Sequence, residues 1–142
     1  ILVRQGHPLI KKYEKAGRIE LDDLRAFKHV MMNLPGTPEL SPAAYQQYAF
    51  EVGISLPYFL GVPYVLADTD YVYIGPVVTL MHCLRLPDCN LRVLPAPPEV
   101  SPFTPAIIWH HGAHTDPFLQ WVRGVLLQSA REDAKRYNAI EI

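Results

Sequence analysis

Apolar positions along the chain recur at alternating and helical spacings, separated by short turns rich in proline and glycine. Ile1 to Arg4 reads as the end of a buried strand, and Gly6-His7-Pro8 as the turn that leaves it. Residues 11–18 (KKYEKAGR) are polar and predict a loop. Ile19 to Phe27 predicts a short helix with Leu21, Leu24 and Phe27 on one face, and Val30 to Met32 a strand closed by Asn33, Pro35 and Gly36. Ser41-Pro42 fits an N-cap followed by proline at the first helical position, opening a helix to about Phe50. Ile54 and Leu56 lie on a strand ending at Pro57, and Tyr58 to Leu66 has helical spacing through Phe59, Val62 and Leu66. Tyr71 to Ile74 predicts a strand ended by Gly75-Pro76, Val77 to Leu84 a helix, and Leu91 to Leu94 a further strand. After the proline-rich stretch Pro95 to Pro105, Ala106 to Trp109 reads as a strand. Asp116-Pro117 then caps a helix whose stripe is Phe118, Val122, Val125 and Ser129, with Trp121 and Leu126 beside it. The polar tail after Arg131 is expected to fray.

Strands alternating with short helices predict an α/β fold, with a parallel or mixed sheet covered by helices. The prolines between 95 and 105 favour an extended crossing segment, which divides the chain into residues 1–100 and 101–142. At 142 residues, 49% hydrophobic and 19% charged, the chain can bury a core, and disorder is not expected. The net charge of −1 argues against a phosphate-gripping surface of its own. No apolar run approaches membrane-spanning length, so no membrane partner is expected. The opening has no secretory pattern, and the start at Ile1 rather than Met suggests a natural N-terminus upstream.

Cys83 and Cys89 are too few for a disulfide framework and read as reduced thiols of a cytosolic protein. His110, His111 and His114 lie within five positions. The carboxylate beside them, Asp116, already serves as a helix cap, so an ordinary loop is preferred to a metal site and no cofactor is expected. Catalysis finds no nucleophile elbow, phosphate loop or dinucleotide fingerprint. His82 and Cys83 are adjacent on a helix and point apart, so they form no dyad. The chain is expected not to be an enzyme.

Five segments carry a resemblance: LVRQGHPL, IELDDLRAFKHV, ISLPYFLGVPYVLADTDYVYIGP, LRVLPAP, and FTPAIIWHH with DPFLQWVR. In this order and spacing they resemble the effector-binding domain of LysR-type transcriptional regulators, over nearly the whole chain. The resemblance implies a two-lobed architecture like that of type II periplasmic binding proteins. One lobe would be complete, and the other represented only by its last strand and helix. It implies a cytoplasmic homodimer or tetramer that contacts DNA only through an N-terminal winged helix absent from this sequence. A small organic acid, aromatic acids included, would bind between the lobes.

The implied effector-binding residues are His7, Tyr58, Phe59, Thr69, Phe103 and Thr104. Each has a plainer alternative on its own residues: His7 can fix the turn beside Pro8, Phe59 can be core, and Thr69 can be a turn residue. KKYEKAGR looks long for the family, and Tyr58 stands where some members that respond to aromatic acids have His. The alternative functions are a stand-alone solute-binding protein of the same fold and a ligand-free dimerisation module.

Overall fold

The computed structural model describes residues 1–33, 42–100 and 106–138, and the chain divides into one compact unit over 1–103 and another over 104–141. Ser41, Phe103 and Thr104 lie outside the described residues.

In the first unit, the described elements are β1 (Leu2–Arg4), α1 (Pro8–Ala16), α2 (Leu21–Arg25), β2 (His29–Met32), α3 (Pro42–Gln47), β3 (Val52–Leu56), α4 (Val62–Ala67), α5 (Val77–Cys83) and β4 (Leu91–Val93). β2 and β3 pair in parallel, and β1 and β4 pair antiparallel. The two ladders are joined through Val72 and Tyr73. Val30 N donates to the Val72 carbonyl at 2.9 Å, and Leu2 and Tyr73 exchange backbone bonds of 2.8 and 3.1 Å. The spatial order is therefore β3, β2, the Val72–Tyr73 segment, β1, β4, with β1 opposed to all the rest. Chain entrance and exit lie side by side, since Ile1 N donates to the Leu94 carbonyl at 2.8 Å and Leu94 N to that of Ile1 at 2.9 Å.

Alternation along these strands sends side chains to two cores. Ile1, Val3, Met31 and Val72 join Leu9, Ile10, Leu24 and Tyr45 from α1, α2 and α3. Leu2, Val30, Met32 and Tyr73 join Val62, Leu66, Leu80 and Cys83 from α4 and α5. The sheet is thus covered on both faces, as the α/β pattern predicts.

Several expectations are corrected. KKYEKAGR is not a loop but most of α1. Lys, Glu and Ala are good helix formers. Pro8 stands in the first turn, the His7 side chain accepts from Leu9 N, and Gly17 ends the helix in the left-handed region at φ 71°. The strand expected over 71–74 shrinks to the bridging pair Val72 and Tyr73. The helix expected from Tyr58 to Leu66 is a 3-10 turn (Phe59–Gly61) followed by α4.

In the second unit, Ala106 to Trp109 is irregular rather than a strand, because no neighbouring strand pairs with it among the described residues. A 3-10 turn (His111–Ala113) leads to α6 (Pro117–Asn138). The Asp116 carboxylate accepts from Leu119 N at 2.9 Å, as an N-cap should. Within the described residues α6 continues to Asn138, and the last four positions of the tail expected to fray lie outside them.

Candidate functional site

Strand direction sorts the candidate residues. β2, β3, β4 and the Val72–Tyr73 segment share one carboxyl end, and in open α/β sheets ligands bind outside that end. Tyr58 and Phe59 follow β3 there. Tyr58 is 77% exposed and precedes the 3-10 turn, its carbonyl accepting from Gly61 N at 3.4 Å. Phe59 is half-buried, and its ring lies 5.8 Å from that of Tyr73, so it is a core-flanking residue as well as a rim residue. Asn33 leaves β2 at the same end, with its N–H on the Leu56 carbonyl at 3.0 Å. Pro76 opens α5, whose first amides have no acceptor within their own helix. An aromatic hydroxyl, an aromatic wall and free backbone donors suit a small molecule carrying both apolar and acceptor groups.

A groove of about 460 Å³ runs between Gly17–Asp22 and Pro95–Glu99. Its charged lining is Glu20, Asp22 and Glu99, with Arg18 already paired to Glu20 at 2.8 Å. That charge balance repels a carboxylate ligand.

His7 and Thr69 lie at the opposite end. β1 runs against the other strands, so the turn after it emerges where they begin. The two ends are about 15 Å apart for a strand of β3's length, at roughly 3.3 Å per residue. His7 is fully buried. Nδ1 accepts from Leu9 N at 3.1 Å, so the proton sits on Nε2, which donates to the Asp70 carbonyl at 3.1 Å. Its ring packs on Phe27 at 4.5 Å. Burial pushes its pKa below the ordinary value, partly offset by Asp70. Both nitrogens are thus engaged by protein, which is the turn-fixing arrangement. Thr69 Oγ1 donates to the Val65 carbonyl at 2.7 Å and accepts from Tyr71 N at 3.3 Å, closing the α4 turn. Arg4 is held on Asp70 at 2.6 Å beside them. The structure therefore brings Tyr58 and Phe59 together, and separately His7 with the Thr69–Asp70 turn, but does not join the two groups.

Cys83 and Cys89 are free and buried, and burial pushes the Cys83 thiol up to about 11, which keeps it protonated and inert. In the second unit, Arg123 lies 4.7 Å over the Trp109 ring, and Trp109 Nε1 donates to His114 Nδ1 at 3.3 Å with the two rings nearly parallel. Arg123 donates to the Ala113 and His114 carbonyls at 3.2 and 2.9 Å. His110 Nδ1 accepts from Gly112 N at 3.1 Å. These contacts knit the histidine-rich loop onto the start of α6. Among the described residues, no group of three or more His, Cys, Asp or Glu side chains is placed to hold a metal ion. Among them too, no helix is long and apolar enough to cross a membrane.

A buried residue that sequence reasoning passed over is His29, which has no exposed surface on β2. A lone histidine inside the apolar run of β2 was the available signal.

No family model matches the chain. It is 35% identical over 68 residues to the HTH-type transcriptional regulator SyrM of Rhizobium meliloti (strain 1021), which is 46% of this chain and 20% of that protein. It is 33% identical over 66 residues to Nodulation protein D 1 of Rhizobium tropici, 46% of this chain and 21% of that protein. The matched stretch thus spans about a fifth of the length of each of these relatives. Over just under half of its length, the chain is similar to LysR-type transcription regulators.

Proposed function

We propose that this chain is the effector-sensing part of a cytoplasmic LysR-type transcription regulator. It binds a small organic acid between two lobes of a periplasmic-binding-protein-like fold, and it acts as a homo-oligomer whose DNA contacts come from a separate winged-helix part. It performs no catalysis. The observation that carries the reading is the similarity to a named transcriptional regulator over 68 residues. The topology adds support. The described residues among 1–94 form a two-faced α/β lobe whose first and last strands are hydrogen-bonded side by side, the arrangement expected of a lobe inserted into another through two adjacent crossings. Ligand would shift the lobe arrangement only through a difference in its affinity for the two states. Within this reading, the ligand-facing residues of the described lobe are Tyr58 and Phe59, with Asn33 and the start of α5. His7 and Thr69 brace the far end.

The test is deletion of the coding sequence in its native host, with transcripts and organic-acid uptake both measured. A regulator changes a small set of transcripts and loses their response to an organic acid. Unchanged transcripts with lost uptake would replace this reading with a solute receptor.

A further inference from the structure

His29 ties four parts of the first unit together. Its ring has no exposed surface. Nε2 stands 3.0 Å from the Leu24 carbonyl on α2, so in the neutral ring this nitrogen carries the proton and donates. One face is stacked on Phe50, with centroids 4.1 Å apart at 12°. Tyr45 of α3 meets the ring edge-on at 6.0 Å and 82°. The backbone N–H of His29 donates to the Glu51 carbonyl at 2.8 Å, just before β3. The remaining ring nitrogen, Nδ1, is buried and has no partner among the described residues.

A proton on Nδ1 would place a charge and an unmatched donor inside an aromatic wall, which strongly disfavours that state. Among the described residues, the neighbouring elements supply no unpaired carboxylate to offset it. On α2, Asp22 is paired with Arg25 and Asp23 with Lys12. Lys28 and Glu51, flanking β2 and β3, pair with each other at 3.1 Å. Tyr45 of α3 is held neutral by burial and donates to the Val30 carbonyl at 3.1 Å. Tyr73, across the sheet, is kept protonated by burial. Arg25 donates to the Tyr48 carbonyl at 2.9 Å, which sets a cation, not a carboxylate, beside the aromatic stack.

The segment held by this ring carries local backbone strain. Ala49, between Tyr48 and Phe50, has φ 55°, a left-handed conformation that a Cβ disfavours. The turn is closed by Ala49 N on the Gln46 carbonyl at 3.0 Å and Phe50 N on that of Tyr45 at 2.9 Å. Tyr48 also stacks on Phe50, with centroids 5.4 Å apart. The docked turn thus rests on the neutral imidazole together with the Tyr45 and Arg25 hydrogen bonds.

We propose that His29 is a proton-operated latch. Neutral, it clamps the Tyr45–Phe50 turn onto the sheet, and protonated it releases that turn while the α4–α5 face stays folded.

Amide hydrogen exchange on the full chain, corrected for the intrinsic effect of pH, reads this directly. Between about pH 8 and about pH 5, opening of residues 45–51 should rise by up to about tenfold per pH unit below the ordinary histidine range. Residues 62–67 and 77–83 should change little. His29→Gln can still donate toward Leu24 but cannot take a charge, and it should abolish the pH response. If that variant does not fold, nitrogen shifts of the His29 ring in the unmodified protein serve instead, and they should titrate together with the exchange. The latch is overturned by pH-independent protection of residues 45–51, or by an equal response across 62–67 and 77–83. A response surviving in His29→Gln, or out of step with the ring's titration, overturns it too and passes the effect to the other buried imidazole, His7.

Discussion

Gly75→Ala probes whether Tyr73 is pinned where the two ladders meet. A Cβ built on Gly75 would lie 2.6 Å from Tyr73 Cε1 and 2.8 Å from both Cζ and the hydroxyl. Contacts this short force something to move. Tyr73 is only 2% exposed, its backbone is bonded to Leu2, and its ring packs among Phe59, Leu80 and Cys83. The ring cannot swing into solvent, so the backbone or the core must yield. Overpacking of this kind costs about 1–3 kcal/mol. With a urea dependence of roughly 1–3 kcal/mol per molar, the unfolding midpoint should fall on the order of 1 M. Far-UV circular dichroism during urea unfolding is the suitable assay, because the first unit itself contains no tryptophan. A double-mutant cycle isolates the cause. In a Tyr73→Leu background, which removes the clashing atoms, Gly75→Ala should cost much less. A Gly75→Ala cost that is absent, or unchanged when Tyr73 is Leu, would refute the packing argument.

Other substitutions follow from the same reasoning. Gly124→Ala should stabilise α6 by about 0.5–1 kcal/mol, seen as slower amide exchange, because its Cβ meets nothing within 4 Å and glycine weakens a helix interior. Gly17→Ala also meets open space but has φ 71°, and it should cost about 1–2 kcal/mol in urea unfolding. Asp116→Ala removes the acceptor for Leu119 N and should cost α6 about 1 kcal/mol, read as faster exchange over residues 117–120. For pH, burial lowers the pKa of both His7 and His29. A base with a depressed folded pKa binds fewer protons folded than unfolded, so stability is fully present above the ordinary value of 6.5 and falls with pH below it. Urea midpoints that rose on acidification through that range would contradict both assignments.

The α/β class was legible because the periodicity of apolar residues is written locally, and the alternation Leu2 against Val3, or Val30 against Met31, already encodes two covered faces. One cap was legible too. Asp116-Pro117 starts its helix through a bond reaching only three residues ahead, whereas the cap at His7 reads in the sequence only as a turn. Polarity misled at KKYEKAGR, where the solvated face of a helix looks like a loop unless Leu9 and Ile10 are counted in its first turn. Ala106 to Trp109 shows the converse limit, since an apolar run becomes a strand only when a partner supplies its backbone bonds. The candidate site was half legible for a topological reason. Adjacent motifs do not reveal strand direction, and only the antiparallel placement of β1 shows that His7 and Thr69 face away from Tyr58 and Phe59. His29 went unnoticed because its role depends on Phe50 and Tyr45, which are distant in sequence.

The proposed function requires that this lobe bind a small organic acid at the carboxyl end of its sheet. The most direct measurement is a heteronuclear NMR titration of the full chain with a panel of aliphatic and aromatic carboxylates. At least one acid should give saturable shifts at Asn33, Tyr58, Phe59 and the first residues of α5, with His7 and Thr69 unmoved. Saturable shifts centred on His7 and Thr69 would contradict it, as would the absence of any saturable response across the panel.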